Sequence, residues 1–401
     1  MTNHATIGTR LTTADREPRE LSIVMPCLNE ALTLPVCLRK AQEAIRENGL
    51  DAEIIVADNG STDGSIEIAS SAGARVIPVA MRGYGAALAA GIAAAAGRYV
   101  IMADADDSYD FGAIMPFLER LRAGDDLVMG CRLPAGGGRI MPGAMPLKNR
   151  LLGNPFLSLL GRFLFRSKVT DFHCGLRGFR RQAVLDLDLR TTGMEFASEM
   201  VIKASIRGAR ISEVPITLYK DGRDRRPHLR PWRDGWRHLR FMLLFSPQWL
   251  FLVPGLFLLF AGTIVSGALM RGPVRIGRAG FDTSTMMVGS MMMIVGYQVV
   301  VYAVFTRAFA VTERLLQPDK LTERALRLVT LERGVVMGFL IALAGLFLVA
   351  WATLIWKQHN WGGLNYSQSQ RLVIPGITLL ILGMQTVFSS FFLSVLGLSR
   401  R

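Results

Sequence analysis

Cysteine is scarce in this sequence. Four cysteines occur among 401 residues, and no two of them stand in a CxxC pair. Without that spacing, and without an extracellular setting, free thiols are favoured over a zinc site or a disulfide framework. We therefore assign no chemistry to these residues, which are Cys27, Cys37, Cys131 and Cys174.

Acidic residues are fewer than basic ones. Lys and Arg together number 46 and Asp and Glu 32, which gives a formal net charge of +14 at pH 7. A basic surplus attracts polyanions, and nucleic acid is one class of partner that fits it. In a chain with membrane spans, anionic lipid headgroups and phosphate-bearing substrates are simpler partners. We expect phosphate groups and a lipid bilayer, and no nucleic acid.

Charge is almost missing from four long stretches in the second part of the chain. Each is long enough to cross a hydrocarbon core of ~30 Å, which needs roughly 20 helical residues. Buried core helices seldom reach this length, so four in series predict an all-α membrane region of four transmembrane helices. The stretches are 241–270, 283–309, 334–356 and 373–398.

Ionisable side chains are also rare inside these four stretches. Transport paths usually need polar or charged groups at depth. The sequence offers only residues such as Ser290, Gln298 and Gln385 there. The four helices are therefore expected to serve for anchoring or assembly. The alternative, from another functional class, is that they belong to a transporter or flippase component for lipid-linked sugar.

The loop between the second and third stretches carries most of the basic residues that border the spans. Basic loops stay on the cytoplasmic side, so both termini are expected in the cytoplasm of a multi-pass protein of the cell (inner) membrane. The amino terminus lacks the apolar core of a signal peptide, in agreement. The predicted organisation is a flexible segment 1–20, a cytoplasmic domain 21–230, an interfacial amphipathic helix 231–248 and a membrane domain 249–401.

The polar half alternates short β-type runs with stretches of helical periodicity, which predicts an α/β fold, a mostly parallel sheet flanked by helices. Strands are predicted at Leu21–Met25, Glu53–Ala57, Arg75–Val79, Tyr99–Ala103 and Leu127–Gly130. Ligands of such sheets bind where the strands end at their carboxyl side. The sequence PCLNE (26–30) follows the first strand, DNGSTDG (58–64) the second and DADD (104–107) the fourth.

The acidic cluster after the fourth strand is a candidate metal site. Asp104, Asp106 and Asp107 repel one another unless a cation or donor groups compensate. Oxygen ligands suit Mg²⁺ or Mn²⁺ bound together with substrate phosphates, and a solvated acidic turn is the plain alternative. A calcium EF-hand is excluded, because Tyr109 and Met115 stand where that loop needs Gly and Glu.

A glycine-rich turn, Gly83-Tyr84-Gly85, partly matches a dinucleotide fingerprint. It lacks the third glycine and follows the third strand, so the match is weak. The hypothesis of a nicotinamide oxidoreductase has no other support than this pattern. No GxxxxGK[ST] occurs, which disfavours a P-loop ATPase. The turn opens an Ala-rich helix whose free amides can hold an anion.

Taken in order, the three motifs PCLNE, DNGSTDG and DAD resemble those of family 2 glycosyltransferases with the GT-A fold. The segment TDFHCGLRGFR (170–180) looks like the acceptor-side segment of dolichyl-phosphate mannosyltransferases and polyprenyl-phosphate glucosyltransferases. The resemblance covers roughly residues 21–239. One departure is Asn59, since the second motif of the family more commonly begins with two acidic residues.

The resemblance implies roles for individual residues. Pro26, Glu30 and Asp58 are expected around the nucleobase and ribose, and Asp104 near the nucleoside or sugar. Asp106 is expected to bind the metal, assisted by Asp104 and Asp107. Asp171 is similar to the family's catalytic or acceptor-orienting carboxylate. Glu195 and Glu199 lie one helical turn apart, and either is a candidate to orient the transferred sugar, with a solvated helix face as the alternative.

A basic loop precedes the membrane region, and ordinary contact with anionic lipid would explain it. It resembles the acceptor-phosphate loop of dolichyl-phosphate sugar synthases, which implies that its cations bind that phosphate. These cations are Lys220, Arg223, Arg225 and Arg226. The run 231–245 combines Trp with Arg and predicts a helix lying in the headgroup layer, and 147–165 is a second candidate.

The resemblance therefore predicts a metal-dependent, inverting hexosyltransferase that makes a polyprenyl-phosphate sugar from a nucleotide-sugar. UDP-glucose is the favoured donor and GDP-mannose the alternative, because GMEFASEM (193–200) and HCGLRGFR (173–180) look more like the glucosyl enzymes. A processive polysaccharide synthase is disfavoured, since no QxxRW segment occurs. A homo-oligomer remains open.

Overall fold

The computed structural model describes residues 19–223, 231–312, 330–363 and 365–397. Contacts between residues divide the chain into two compact units, Met1–Met242 and Leu243–Arg401. The two units are described separately below.

The first unit is built on one large sheet. Within the described residues it has seven strands in the order β3-β2-β1-β4-β7-β5-β8. All neighbouring strands run parallel except β7, which is antiparallel to both β4 and β5. The strands are β1 (Arg19–Cys27), β2 (Ala52–Asp58), β3 (Arg75–Pro78), β4 (Gly97–Met102), β5 (Leu127–Cys131), β7 (Arg177–Arg180) and β8 (Ile211–Pro215). Two short strands, β6 (Arg139–Ile140) and β9 (Thr217–Leu218), pair beside it.

Helices cover both faces of this sheet, so its central strand β1 is buried on both sides. From Leu21 to Met25, for example, every residue is buried. The helices of this unit are α1 (Leu34–Glu47), α2 (Ser65–Ser71), α3 (Tyr84–Ala94), α4 (Met115–Arg122), α5 (Asn154–Phe165), α6 (Arg181–Leu185), α7 (Phe196–Ile206) and α8 (Pro231–Leu244). A single π-helical turn, Asn149–Gly153, runs directly into α5.

The predicted α/β fold with a mostly parallel sheet is confirmed. The pattern of alternation located the first five strands because each is a buried apolar run between turn residues. It did not locate β7, whose sequence RGFR places two arginines in four residues. The antiparallel strand therefore lies inside the segment read from sequence only as an acceptor-side motif.

The second unit is helical, as predicted, and four of its described helices are long and apolar enough to cross a membrane. They are α9 (Val253–Leu269), preceded by a π-helical turn, then α10 (Thr283–Thr312), α11 (Leu331–Gln358) and α12 (Tyr366–Gly397). A short hairpin was not predicted: β10 (Val274–Ile276) and β11 (Ala279–Phe281) pair between α9 and α10. Gly277, with φ of 62°, supplies the left-handed backbone that this turn needs.

Glycines spaced seven residues apart let these helices pack closely in pairs. A Cβ on Gly262 of α9 would lie 2.5 Å from the backbone oxygen of Gly289 on α10. A Cβ on Gly345 of α11 would lie 2.5 Å from that of Gly376 on α12. Close backbone approach of this kind replaces the hydrophobic effect as the source of helix association in lipid. Polar pairs then join α10 to α12, namely Ser290–Thr378, Tyr297–Thr386 and Gln298–Gln385.

Candidate functional site

The first two motifs meet at the carboxyl edge of β1 and β2. Cys27 of β1 is in register with Asp58 of β2, so the segments that follow them lie side by side. Pro26 lies one residue earlier, in register with Ala57. The amide of Asn29 donates to Ser61 Oγ over 2.8 Å, and Asn29 Oδ1 accepts from the amide of Thr62 at the same distance. The loops are thereby held together before any ligand binds.

Asp58 and Asn59 have different tasks at the end of β2. Asp58 is buried and its carboxylate accepts from the amides of Gly60 and Ser61, which forms the turn. Asn59 Nδ2 donates to the carbonyl oxygens of Val79 and Met81, while its Oδ1 accepts from Gly83 N. A carboxylate could not make the two donations. Asn59, the residue that departs from the family pattern, therefore ties the turn to the start of α3.

The carboxylates of the acidic cluster point to different partners. Asp104 accepts a hydrogen bond from Tyr84, and removal from water together with the charge of Asp106 raises the pKa of Asp104 to about 6. Asp106 Oδ1 accepts from both the amide and the hydroxyl of Ser108. Asp107 pairs with Lys40 of α1 at 2.7 Å. Asp107 is thus engaged by a cation of the protein.

This donor set fits a divalent cation that shares its ligands with a substrate. Among the residues that the structure describes, no three His, Cys, Asp or Glu side chains are grouped so as to hold a metal ion by themselves. Asp104 and Asp106 offer hard oxygen donors. The pKa of Asp104 is raised by burial first and then by the charge of Asp106, and a bound cation would oppose both effects. Mg²⁺ characteristically takes one or two carboxylates and fills its remaining positions with phosphate oxygens and water.

Arg223 brings the basic loop against this cluster. Its guanidinium contacts Glu30 Oε1 at 2.6 Å and Asp106 Oδ2 at 3.1 Å. The loop backbone follows the same course, because Gly222 N donates to the carbonyl oxygen of Asp106 and Tyr219 N to that of Ser108. Lys220 is exposed. Arg225 and Arg226, predicted with them, lie outside the described residues.

Asp171 is fully buried and faces Arg132, the residue that follows β5. Both carboxylate oxygens accept from the Arg132 side chain, at 2.7 and 2.8 Å, and Oδ2 also accepts from the Arg132 amide. Burial alone would raise the pKa of Asp171, but the charge and hydrogen bonds of Arg132 outweigh it and hold that pKa below its usual value. Asp171 is therefore ionised at neutral pH and paired with Arg132.

Of the two acidic residues near the start of α7, one is structural and one is not. Glu199 accepts from the amides of Arg190 and Thr191 and pairs with Lys203 at 2.7 Å, so it holds the loop before the helix. Glu195 has a buried carboxylate oxygen, Oε2, with no hydrogen-bond partner in the part of the chain that the structure describes.

Comparison with known proteins decides the family. The family model for glycosyl transferase family 2 matches residues 22–187, and that for the C-terminal transmembrane region of glycosyltransferase family 2 matches residues 304–397. The low-salt glycan biosynthesis hexosyltransferase Agl6 of Haloferax volcanii is 34% identical over 378 residues, which cover 94% of this chain and 89% of that protein. The chain belongs to glycosyltransferase family 2. It is a membrane protein.

Two further proteins resemble this glycosyltransferase over part of its length. A dolichyl-phosphate hexose transferase of Haloferax volcanii is 34% identical over 198 residues, covering 49% of this chain and 82% of its own. The crystal structure of glucosyl-3-phosphoglycerate synthase from Mycobacterium tuberculosis, in complex with Mn²⁺, UDP and glucosyl-3-phosphoglycerate, is 22% identical. It covers 56% of this chain and 78% of its own, with a TM-score of 0.43.

One arginine of the glycosyltransferase site was missed in the sequence. Arg132 follows a predicted strand, so inspection of every strand end would have found it. For Arg177 the sequence suggested contact with diphosphate or a place on the surface, but Arg177 is completely buried in β7 and donates to the backbone oxygens of Phe172, Cys174 and Ala197. Arg177 therefore holds the acceptor-side segment against α7, a task that only the folded chain reveals.

Proposed function

We propose that this glycosyltransferase transfers a hexose from a nucleotide-sugar to a polyprenyl phosphate at the cytoplasmic face of the cell membrane, with glucose from UDP-glucose as the favoured donor. Its relatives support the class of reaction, since one is named a hexosyltransferase and another a dolichyl-phosphate hexose transferase. The product would be a polyprenyl-phosphate sugar.

The position of Arg223 is the observation that carries this proposal. Arg223 contacts both Glu30, assigned to the nucleoside, and Asp106, assigned to the metal. A loop that brings a guanidinium to the diphosphate end of a donor site is suited to receive a second phosphate there, because guanidinium groups bind phosphate through paired charge-assisted hydrogen bonds. Lys220, Arg225 and Arg226 are proposed to extend the same acceptor-phosphate site.

A phosphate acceptor also agrees with the state of Asp171. In the proposed reaction an oxygen of the lipid phosphate attacks the anomeric carbon, and the bond from that carbon to the nucleoside diphosphate breaks, with inversion. The phosphate is already ionised at neutral pH, so no strong general base is needed. Asp171, whose pKa is lowered and whose oxygens are occupied by Arg132, would be a poor base. We propose instead that Asp171 orients the acceptor through its ion-pair partner Arg132.

The leaving diphosphate gains negative charge as the bond breaks. Mg²⁺ or Mn²⁺ held by Asp106 and Asp104 would offset that charge by Lewis-acid stabilisation. Asp107, paired with Lys40, would support the loop and the local charge balance. Glu195 is placed to accept a hydrogen bond from a hydroxyl of the transferred sugar through its unpartnered Oε2. Pro26 and Asp58 complete the nucleoside side.

An apolar face of α5 supports seating on the membrane. Phe156, Leu159 and Phe163 of α5, with Leu152 of the π-helical turn before it, are all more than half exposed and recur at helical spacing on one side. The other side packs inward, since a Cβ on Gly161 would lie 2.8 Å from the Phe172 ring. A helix with such a face is suited to the boundary between headgroups and acyl chains.

The test is transfer of radiolabelled sugar to undecaprenyl phosphate by the purified full-length protein. UDP-glucose and GDP-mannose are supplied separately, each with Mg²⁺, with Mn²⁺ and with EDTA. A glycolipid that forms from UDP-glucose and disappears with EDTA supports the proposal, and one from GDP-mannose would change the donor only. Absence of glycolipid from every nucleotide-sugar tried, with folded protein, would overturn it.

A further inference from the structure

A cluster of three polar side chains lies behind the acceptor-side segment. Ser198 Oγ is 2.7 Å from His238 Nδ1 and 3.4 Å from His173 Nε2. The two imidazole rings meet edge to face, with centroids 4.7 Å apart. We call His173, Ser198 and His238 the histidine junction. None of the three takes part in the reaction proposed above.

The junction connects three functional pieces of the first unit. His173 is two residues after Asp171, and its amide donates to Asp171 Oδ1 over 3.4 Å. Ser198 stands in the first turn of α7, three residues after Glu195. His238 belongs to α8, the helix that follows the basic loop. The acceptor side, the sugar side and α8 therefore share one set of hydrogen bonds.

Helix α8 presents opposite faces to the protein and to its surroundings. His238 and Met242, one turn apart, are buried. Arg233, Trp236, Arg240 and Leu244 recur on the other side and are exposed. Basic and aromatic side chains on an outer face suit a headgroup layer. The junction is therefore the polar part of the inner face by which α8 is held against the catalytic unit.

The hydrogen bonds of the junction require neutral histidines. Ser198 has one hydrogen, so it donates to one ring and accepts from the other. His173 Nδ1 is buried and has no hydrogen-bond partner among the described residues, so a proton on it would be unsatisfied. The neutral tautomer that avoids this carries its proton on Nε2, which donates to Ser198, and Ser198 then donates to His238 Nδ1. Protonation of His173 would create a buried N–H without an acceptor.

The charges around His173 oppose its protonation too. The groups that face it are His238 from α8, Asp171 of its own segment, Arg132 after β5 and Arg177 of β7. Asp171 alone favours the charged form, and Arg132 already occupies its oxygens. Burial first, and then the neighbouring His238, lower the pKa of His173 well below its ordinary value. The junction is intact near neutral pH.

We propose that the histidine junction is a positioning element, which fixes the segment carrying Asp171 in register with α8 and so makes sugar transfer depend on the docking of α8. This inference rests on the proposed function. Three apolar side chains would hold a helix as firmly, but they would not fix one orientation. Buried polar groups that must be satisfied discriminate between the correct arrangement and its near alternatives.

Three variants test this. Ser198→Ala removes both hydrogen bonds of the junction, and His238→Phe removes one. His173→Gln keeps a donor near the Nε2 position. His359→Phe, at an exposed histidine of the second unit, is the matched control. In vesicles of phosphatidylglycerol and phosphatidylethanolamine, Ser198→Ala and His238→Phe should lower kcat about tenfold and leave the KM for nucleotide-sugar within about twofold. The control should match the wild type.

Rescue by a conservative variant separates positioning from a loss of folded protein. His173→Gln keeps a donor near the Nε2 position and should keep kcat near neutrality within about threefold, whereas Ser198→Ala should lose about tenfold. Unaltered kinetics in both Ser198→Ala and His238→Phe would overturn the inference, and so would a His173→Gln variant whose kcat is as low as that of Ser198→Ala.

Hydrogen exchange of α8 tests the junction without any activity. At pH about 7.5, the amides of Pro231–Leu244 should lose protection in Ser198→Ala and keep the wild-type protection in His359→Phe. Protection of α8 in Ser198→Ala equal to that of the wild type contradicts the junction. If no glycolipid forms but this difference is present, the proposed function fails and the junction stands.

Discussion

Arg223 Nη2 lies 2.6 Å from Glu30 Oε1, although 193 residues separate them in the chain. The same guanidinium reaches Asp106 Oδ2 at 3.1 Å. We propose that both carboxylates serve the nucleotide-sugar and its metal and that Arg223 serves the acceptor. One cation of the proposed acceptor loop thus pairs with two carboxylates of the proposed donor site, and a bound donor would have to compete with it.

The first prediction follows from that competition. Arg223→Ala should leave the Kd for Mg²⁺ with UDP unchanged or lower it by up to about tenfold, because a competing cation is removed. The same variant should reduce transfer to polyprenyl phosphate by about a hundredfold, because a charge-assisted contact to the acceptor phosphate is lost. Isothermal titration and the transfer assay measure the two effects.

Arg19→Ala is a suitable control for Arg223→Ala. Arg19 is also an arginine in an ion pair, with Asp51, but it stands at the opposite end of β1 from the site. It should change neither quantity by more than about twofold. A marked weakening of UDP binding in Arg223→Ala would instead make Arg223 a ligand of the donor diphosphate.

Asn59 provides a second prediction, on stability. Asn59→Asp should lower the free energy of unfolding of the first unit by about 1–3 kcal/mol, since the carbonyl oxygens of Val79 and Met81 lose their part-buried donor and face a carboxylate. A thermal-shift measurement at pH 7 tests this. Asn48→Asp removes a comparable donation to Ala44 O at an exposed position and should cost far less. Equal melting temperatures of Asn59→Asp and wild type would contradict the assigned hydrogen bonds.

The site shows where sequence reasoning works and where it stops. Strand ends and turn residues placed Glu30, Asp58 and Asp104 at one edge, because parallel strands bring their carboxyl ends together by geometry alone. Contacts between side chains far apart in the sequence could not be predicted from strand ends and turn residues. Nothing in the order of residues couples Arg223 to Glu30 or Asp171 to Arg132; those contacts exist only after the crossovers and β7 have been placed.

The membrane half was predictable for a different reason. A span must satisfy its backbone hydrogen bonds internally, so an apolar run of sufficient length has few structures open to it. The bounds shifted by several residues where polar residues extend the helices, as at Tyr366 at the start of α12. The hairpin of β10 and β11 was not predicted because each strand has only three residues and no alternating pattern.

The raised pKa of Asp104 gives a prediction for pH. Its pKa of about 6 is above the ordinary value, so Asp104 becomes protonated as the pH falls through about 6 and then no longer offers a carboxylate to a cation. At limiting Mg²⁺, transfer should therefore decline below pH about 6, and saturating Mg²⁺ should move the decline to lower pH because metal and proton compete. Kinetics at two metal concentrations across pH 5–8 would show this, and an acid limb independent of Mg²⁺ would contradict it.

The contribution of Asp104 to folding stability changes with pH in the opposite direction to that of an ordinary salt-bridged acid. Because the folded pKa of Asp104 is higher than the unfolded one, its ionisation disfavours the folded state increasingly as pH rises from about 4 to about 6. Asp104→Asn should therefore raise the melting temperature slightly at pH 7 while abolishing most transfer. A lower melting temperature at pH 7 would indicate that the carboxylate is stabilised by its surroundings.

The buried pair of Asp171 and Arg132 gives the fourth prediction. Asp171→Asn leaves Arg132 buried without its counter-charge and should destabilise the first unit by about 3–5 kcal/mol. Replacing both, as Asp171→Leu with Arg132→Met, should cost less than the single change, because no unpaired charge remains. Chemical denaturation of the single and double variants tests the order. Both should lack transfer, so recovered stability without recovered activity separates the two roles of Asp171.

The most direct measurement of the central claim is mass spectrometry of the lipid extracted after incubation with polyprenyl phosphate, UDP-glucose and Mg²⁺. We expect the polyprenyl phosphate to gain the mass of one anhydrohexose with wild type, and to remain unmodified with Asp106→Asn of equal melting temperature. Unmodified lipid phosphate in every wild-type reaction, with the sugar recovered on another acceptor, would contradict the claim.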